Sequence, residues 1–140
     1  MRYARWAYAG LAWVFVAAIV VQVFLIGLAL FGDSSYRQTH IEFGYSAVGL
    51  AALALLISAL IARPGRRQLG LVVLLFVLYI VQTSLPEARE AYPAIAALHP
   101  VNALLLFGIA VYVARVATVL ARGTAAVPEA APAPQPDPQA

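Results

Sequence analysis

The chain has 140 residues, 64% of them hydrophobic, a mean hydropathy of +0.87 and a formal net charge of +3. Such an apolar chain has too little polar surface for a soluble globular domain, and the lack of cysteine excludes disulfides and thiolate chemistry. All nine basic residues are arginine. They stand at the ends of apolar segments and form no basic stripe, so membrane topology explains them and nucleic-acid binding is excluded.

The first apolar segment is predicted to be a transmembrane helix over about residues 7–31. It is longer than the roughly 20 residues that cross a bilayer. It also exceeds the apolar region of a signal peptide, which has about 7–15 residues. Gln22 is its one strongly polar residue. Aromatic residues fit an interfacial belt at its start: Trp6, Tyr8 and Trp13.

The second span is predicted over about residues 41–62, after a polar turn. Two stretches before it have the form of a capping box: Ser35-x-x-Gln38 and Thr39-x-x-Glu42. The later one would make His40 the first helical residue, whereas the earlier one would start the helix one turn sooner. The sequence alone leaves both starts open.

The third and fourth spans follow a turn that contains three arginines, over residues 63–67. The third span is predicted over about residues 68–85 and the fourth over about residues 101–121. Pro93 and Pro100 both suit the first turn of a helix, so the fourth helix can start at either. Residues 123–140 contain five of the nine prolines. This composition cannot bury a core and predicts a disordered tail behind a membrane domain of residues 1–122.

The arginines predict the topology. Seven of them fall at one end of the four spans, and only Arg37 and Arg89 fall at the other. The positive-inside rule puts the richer end, with both termini, in the cytoplasm. Short turns then give an all-α fold, a four-helix transmembrane bundle with up-down-up-down topology. His40 and His99, the two histidines of the chain, both come to the outer face. The seven arginines at the predicted cytoplasmic end are Arg2, Arg5, Arg63, Arg66, Arg67, Arg115 and Arg122.

A short internal repeat relates the two halves of the chain. Val-Gln at residues 21–22 is followed by His40, eighteen residues after the glutamine, and Val-Gln at residues 81–82 by His99, seventeen after it. Each half would be a hairpin with glutamine on the outgoing helix and histidine near the start of the returning one. This is the pattern of a parallel repeat about the membrane normal, although so few matches also occur by chance.

The two histidines are the candidate cofactor ligands. If both returning helices extend past their histidines, each histidine stands above a face of mostly small residues. A flat macrocycle between helices needs that space, and two neutral imidazoles can serve as axial ligands of haem iron. Tyr36, Arg37, Arg89 and Tyr92 on the same side could hydrogen-bond the propionates. The faces comprise Gly44, Ala47 and Ala51 below His40, and Ala103, Leu106 and Ala110 below His99.

Other interpretations of these residues are open. Small faces also let membrane helices pack closely without a ligand, and a histidine at a helix start can cap backbone groups or face water. A zinc site would need three or four protein ligands, and Glu42 points about 200° away from His40 round a helix. Gln22, Gln82 and Asn102 are expected first of all to hydrogen-bond between helices.

No catalytic residue is predicted. There is no glycine-rich phosphate loop. Ser34 and Ser35 have no general base near them except His40 and no nucleophile-elbow context. The acids and bases expected of a proton-coupled transporter are also missing from the middle of the spans.

Residues 98–108 (LHPVNALLLFG), with Ala114-Arg115 beyond them, resemble the last helix of the domain of unknown function 6220 family. These are small four-helix bacterial membrane proteins. Residues 20–28 (VVQVFLIGL) are similar to that family's first helix, and a histidine before the second helix, here His40, fits as well. The resemblance covers about residues 7–122. It implies a four-helix bundle in the bacterial inner membrane and implies no activity.

A coarser resemblance concerns architecture. Paired histidines on the second and fourth helices look like those of cytochrome b561-type and haem A synthase-type bundles. The chain departs from both, because a single histidine pair implies at most one bis-histidine haem and no clear acidic residue lies one helical turn from a histidine.

The sequence therefore supports two hypotheses of function. In the first, the protein binds one b-type haem through His40 and His99 for electron transfer in the membrane. In the second, it is a cofactor-free structural or interaction subunit of a membrane complex, or a homo-oligomer. Its small-residue faces and proline-rich tail would then contact partners. The lipid bilayer surrounds the protein in both cases.

Overall fold

The computed structural model describes residues 2–123. The described chain is all-α, as predicted. Two shorter pieces join the last two long helices: a 3₁₀ turn at Leu85–Arg89 and a one-turn helix at Pro93–Ala96. Residues 124–140 of the predicted disordered tail lie outside the described residues. The four long helices are α1 (Arg2–Phe31), α2 (Tyr36–Ala62), α3 (Arg66–Ser84) and α4 (Leu98–Gly123).

All four helical stretches are long and apolar enough to cross a membrane. With the adjoining short pieces they have 30, 27, 24 and 31 residues, against the roughly 20 that a bilayer requires. The prediction of a four-helix transmembrane fold is confirmed, and the protein is a multi-pass membrane protein. The helices also continue beyond the apolar spans predicted from the sequence, so that their ends can reach into the interfacial layers.

The helices form a ring in chain order. α1 and α3 each pack against both α2 and α4, which places α2 and α4 at opposite corners of the bundle. Hydrogen bonds between neighbours show the antiparallel arrangement, since Trp13 near the start of α1 donates to Thr118 near the end of α4 at 3.0 Å. We call the end with both chain termini and the α2–α3 turn the arginine end. The opposite end, with the α1–α2 turn and the α3–α4 connection, is the histidine end.

The core fills the half of the bundle next to the arginine end. In the described part of α1 no residue after Ile19 is buried, and the stretches Tyr36–Phe43, Leu85–Arg89 and Pro93–Ala96 bury none. Small residues let α1 and α4 approach closely in the packed half. The histidine end is therefore the less tightly packed half. The buried alanines of α1 and α4 in this half are Ala9, Ala12, Ala114, Ala117 and Ala121.

Tyr8 belongs to this core and not to the predicted interfacial belt. Its side chain is 1% exposed, whereas Trp6 and Trp13 are 45% and 44% exposed. The belt prediction is wrong for Tyr8 because helical periodicity places it on the same face as Ala12 and Phe15, the face that meets the other helices.

The structure settles where the two histidine-bearing helices begin. α2 begins at Tyr36 after Ser35, one turn earlier than the alternative start. Glu42 accepts a hydrogen bond from Gln38 Nε2 at 2.9 Å and does not cap the helix. In the turn, the Ser35 N–H donates to Asp33 Oδ1 at 2.8 Å, which lowers the pKa of the Asp33 carboxyl.

The fourth long helix uses both candidate prolines. Pro93 opens the separate one-turn helix, and Pro100 lies in the first turn of α4, which begins at Leu98. A first-turn proline costs no helical hydrogen bond. Both His40 and His99 consequently lie inside helices, close to their starts.

A π-helical turn interrupts α2 at Gly44–Val48. Such turns redirect backbone hydrogen bonds and are frequent at functional sites. Here the Tyr79 hydroxyl of α3 donates to the Gly44 carbonyl at 3.2 Å. Gly49 makes room for this contact, because a Cβ at that position would lie 2.5 Å from the Tyr79 hydroxyl oxygen.

Gly49→Ala is expected to lower the midpoint of thermal unfolding in detergent, followed by circular dichroism. The added methyl group must displace the Tyr79 hydroxyl, and overpacking of this kind costs about 1–3 kcal/mol. Adding Tyr79→Phe should restore part of the loss, since it removes the atom in closest contact. Gly70→Ala is the matched control, because nothing lies within 4 Å of a Cβ there. Equal stability of the two alanine variants would contradict the described packing.

Candidate functional site

The two predicted ligand residues meet at the histidine end. His40 of α2 and His99 of α4 approach from opposite corners of the bundle, and their ring centroids are 6.4 Å apart with the ring planes at 69°. Both side chains are partly buried. The ring of four helices thus brings together two residues that are 59 positions apart in the chain.

Each histidine is held by the glutamine of the preceding helix. His40 Nδ1 lies 3.0 Å from the Gln22 carbonyl oxygen, and His99 Nδ1 lies 3.0 Å from the Gln82 carbonyl oxygen. A carbonyl only accepts hydrogen bonds, so Nδ1 carries the proton in both neutral rings and Nε2 keeps its lone pair. The two halves of the chain make the same contact, which gives the predicted glutamine–histidine repeat a structural counterpart.

The second half adds a side-chain network. Gln82 Nε2 donates to His99 Nε2 at 3.1 Å. Asn102, which is 6% exposed, donates through Nδ2 to Gln82 Oε1 at 2.8 Å and to the Leu78 carbonyl at 2.9 Å. These bonds join α3 to α4, as expected for polar groups inside membrane spans. They also orient the Gln82 amide so that its N–H faces the imidazole.

The first half lacks this network. Phe43 follows His40 by three residues, whereas Asn102 occupies the same offset from His99. Gln22 packs against Gly44, where a Cβ would collide with its amide nitrogen. Its Oε1 atom is buried and has no hydrogen-bond partner. A buried acceptor without a hydrogen-bond partner costs stability. The two halves of the site therefore share the histidine–carbonyl contact, but only the Gln82 side chain has a hydrogen-bond partner for its amide oxygen.

The predicted small-residue faces point into the bundle. Gly44 and Ala51 are buried and Ala47 is partly buried on α2. On α4 the corresponding residues behave in the same way, with Leu106 and Ala110 buried and Ala103 partly buried. Each histidine therefore stands above a narrow face toward the bundle interior.

The predicted propionate partners lie at the surface of the histidine end. Arg37 is exposed at the start of α2. Arg89 is exposed as well, and its guanidinium is 4.0 Å from Glu90, a pairing between two solvated side chains that contributes little. Tyr36 and Tyr92 are 40% and 63% exposed. The role of these four residues stays a prediction.

The donor set does not suit zinc. Within residues 2–123 no group of three or more histidine, cysteine, aspartate or glutamate side chains could hold a metal ion, and zinc takes three or four protein ligands.

Residues 22–88 match the family model described as "Family of unknown function (DUF6220)". The match supports the family prediction over that segment, which includes Gln22, His40 and Gln82. The segment that resembled the family's last helix, residues 98–108, lies outside the match. No curated protein and no solved structure matches the chain, so the coarser likeness to cytochrome b561-type and haem A synthase-type bundles gains no support.

Gln82→Leu is expected to lower the thermal unfolding midpoint more than Gln22→Leu. The first change removes the Gln82 amide from the network and leaves Asn102 with one acceptor fewer, which costs about 0.6–2 kcal/mol in a membrane helix. The second change removes an acceptor that has no partner and should be close to neutral. The two variants alter the same residue type in the two halves and so serve as each other's control. Equal losses would show that the network contributes nothing.

Proposed function

We propose that this chain, similar to DUF6220 over residues 22–88, binds one b-type haem between His40 and His99. Its role would be one-electron transfer in the membrane. The pairing of the two imidazoles and the looser packing of the histidine end support this proposal.

The single observation that carries the proposal is the state of the two rings. Both are fixed through Nδ1–H to a backbone carbonyl, the outer-shell contact that metal-binding histidines commonly make. Two imidazoles that hold one metal must have a small separation between their ring centroids, because each metal–nitrogen bond is only about 2.0 Å long. The observed separation is 6.4 Å.

The histidine end also suits a large flat ligand. The core of the protein fills the other half of the bundle, and the histidine end buries few side chains. Below the histidines, Ala47 and Ala103 present little side-chain volume, whereas the Gln22 side chain fills the space beside Gly44. The π-helical turn that begins at Gly44 locally widens α2. A haem bound here would pack its apolar surface against side chains that the protein itself leaves unburied.

Binding requires both glutamine side chains to move, because the Gln22 amide packs against Gly44. The Gln82 amide donates to His99 Nε2, the atom that would face the iron, so this side chain must turn aside. Gln22 and Gln82 keep their backbone contacts to the histidines through such a movement, because those contacts use carbonyl oxygens and not side chains. The rings thus stay oriented while the amides move.

The haem would supply reversible one-electron chemistry, and the protein would hold and orient the haem. His40 and His99 would hold it at the histidine end through one ring nitrogen each. Arg37 and Arg89 at the same end would meet the propionates by charge-assisted hydrogen bonds.

The test is an absorption spectrum of detergent-purified protein made with ample haem, first air-oxidised and then reduced with dithionite. A Soret band, a sharp reduced α-band and one haem per chain are expected. His40→Ala and His99→Ala should each lose both bands while keeping the helical circular dichroism, and added imidazole should restore part of the signal. Gln38→Ala is the control, because it changes an exposed side chain on the same helix and should leave the spectrum unchanged.

A flat spectrum of the unaltered protein would overturn the proposal, as would bands that persist in both histidine variants. The cofactor-free interaction subunit would then be the better hypothesis.

A further inference from the structure

A groove runs along the outside of α3 and α4 at the arginine end. It consists of two adjoining hollows of about 290 and 340 Å³, and both are lined by Tyr112 and Val116 of α4. Arg66 and Arg67 of α3 line the first hollow, and Arg115 with Val119 lines the second. The groove lies at the opposite end of the bundle from the histidines.

The groove is positively charged and no carboxylate of the described chain offsets it. The four acidic residues among residues 2–123 all lie at the histidine end: Asp33, Glu42, Glu87 and Glu90. Of the groove arginines, Arg67 stacks over the Tyr112 ring, with its guanidinium carbon 5.9 Å from the ring centroid. This contact turns the Arg67 side chain toward α4 and hence toward the groove.

The α4 wall of the groove is largely apolar and exposed. Val119 is 68% exposed and Tyr112 is 43% exposed, on a helix that crosses the membrane. Arg115 stands eight residues before the last residue of α4, about 12 Å along the helix axis. From that depth a long arginine side chain can reach the headgroup layer.

We propose that this groove binds an anionic phospholipid. Arg67 and Arg115 hold its phosphate from two helices, and an acyl chain lies along Val116 and Val119. Basic pockets between membrane helices on the cytoplasmic side are suited to anionic headgroups, and the positive-inside rule puts the arginine end on that side. A zwitterionic lipid offers no net charge to the uncompensated arginines, and a water-soluble anion gains nothing from the apolar wall.

The site is independent of the proposed haem, since it shares no residue with the histidine end. Its occupant would hold α3 and α4 together where the α2–α3 turn leaves the membrane, in addition to the hydrogen bond that Gln68 Nε2 donates to the Val113 carbonyl at 2.8 Å.

The experiment is native mass spectrometry of the full chain, released from detergent micelles after titration with phosphatidylglycerol, phosphatidylcholine or inorganic phosphate. Phosphatidylglycerol should bind in a saturable one-to-one complex and phosphatidylcholine should bind much more weakly. Arg67→Gln/Arg115→Gln should weaken phosphatidylglycerol binding roughly twenty- to thirtyfold, since each basic group near an anionic headgroup contributes about fivefold.

Two further variants make the test specific. Arg2→Gln/Arg122→Gln removes the same charge from the same end of the bundle, outside the groove, and should leave binding within about twofold of the unaltered protein, because exposed charges act weakly on a distant site. Val116→Trp fills the groove without changing any charge and should weaken phosphatidylglycerol binding. All variants are compared at equal helical circular dichroism.

Three results would overturn the proposal. Equal binding of the two lipids would remove the charge selectivity. Equal losses in the two double-arginine variants would show diffuse attraction without a site. Displacement of phosphatidylglycerol by inorganic phosphate would show a phosphate site in which the apolar wall has no part.

Discussion

The hydrogen bond from an imidazole Nδ1–H to a glutamine carbonyl is the contact on which the candidate site depends. Inside a membrane span no water is available to hydrogen-bond a polar group, so its hydrogen-bond partner must come from the protein. His40 and His99 each meet this requirement on the preceding helix. Because the contact consumes the Nδ1 proton and leaves the Nε2 lone pair, it also decides which nitrogen can serve a ligand. One contact thus pairs the helices of each hairpin and fixes the orientation of each histidine ring.

The bundle is divided into a packed half and an open half. Alanines between α1 and α4, with Phe15, Leu55 and Val113, fill the half at the arginine end. The histidine end contributes few buried side chains and carries the π-helical turn, the polar connections and the amide network. Local opening is easiest where few apolar contacts must be broken. The histidine end can therefore rearrange its amides around a ligand while the other half keeps the helices together.

Charge divides the molecule along the same axis. The four acidic residues between positions 2 and 123 all lie at the histidine end, and seven of the nine arginines lie at the arginine end. The arginine end therefore has no internal counter-charge within the described chain, which suits an anionic lipid surface. The histidine end carries arginines and carboxylates together. The two proposed ligands, a haem and an anionic lipid, would bind at opposite ends of the bundle.

The sequence by itself determined the number of spans, their alternation and the end at which each charged residue lies, because apolar length and arginine placement reflect the bilayer directly. It also placed His40 and His99 at one end and identified Gln22 and Gln82 as their counterparts. Only the tertiary structure decided the rest: that the histidines meet across the bundle, which ring nitrogen is protonated, that Gln22 lacks the partner Gln82 has, and that Tyr8 lies in the core. These features depend on the rotation and approach of packed helices. Periodicity along one helix defines its faces, but only contact with the neighbouring helices decides which atoms those faces meet.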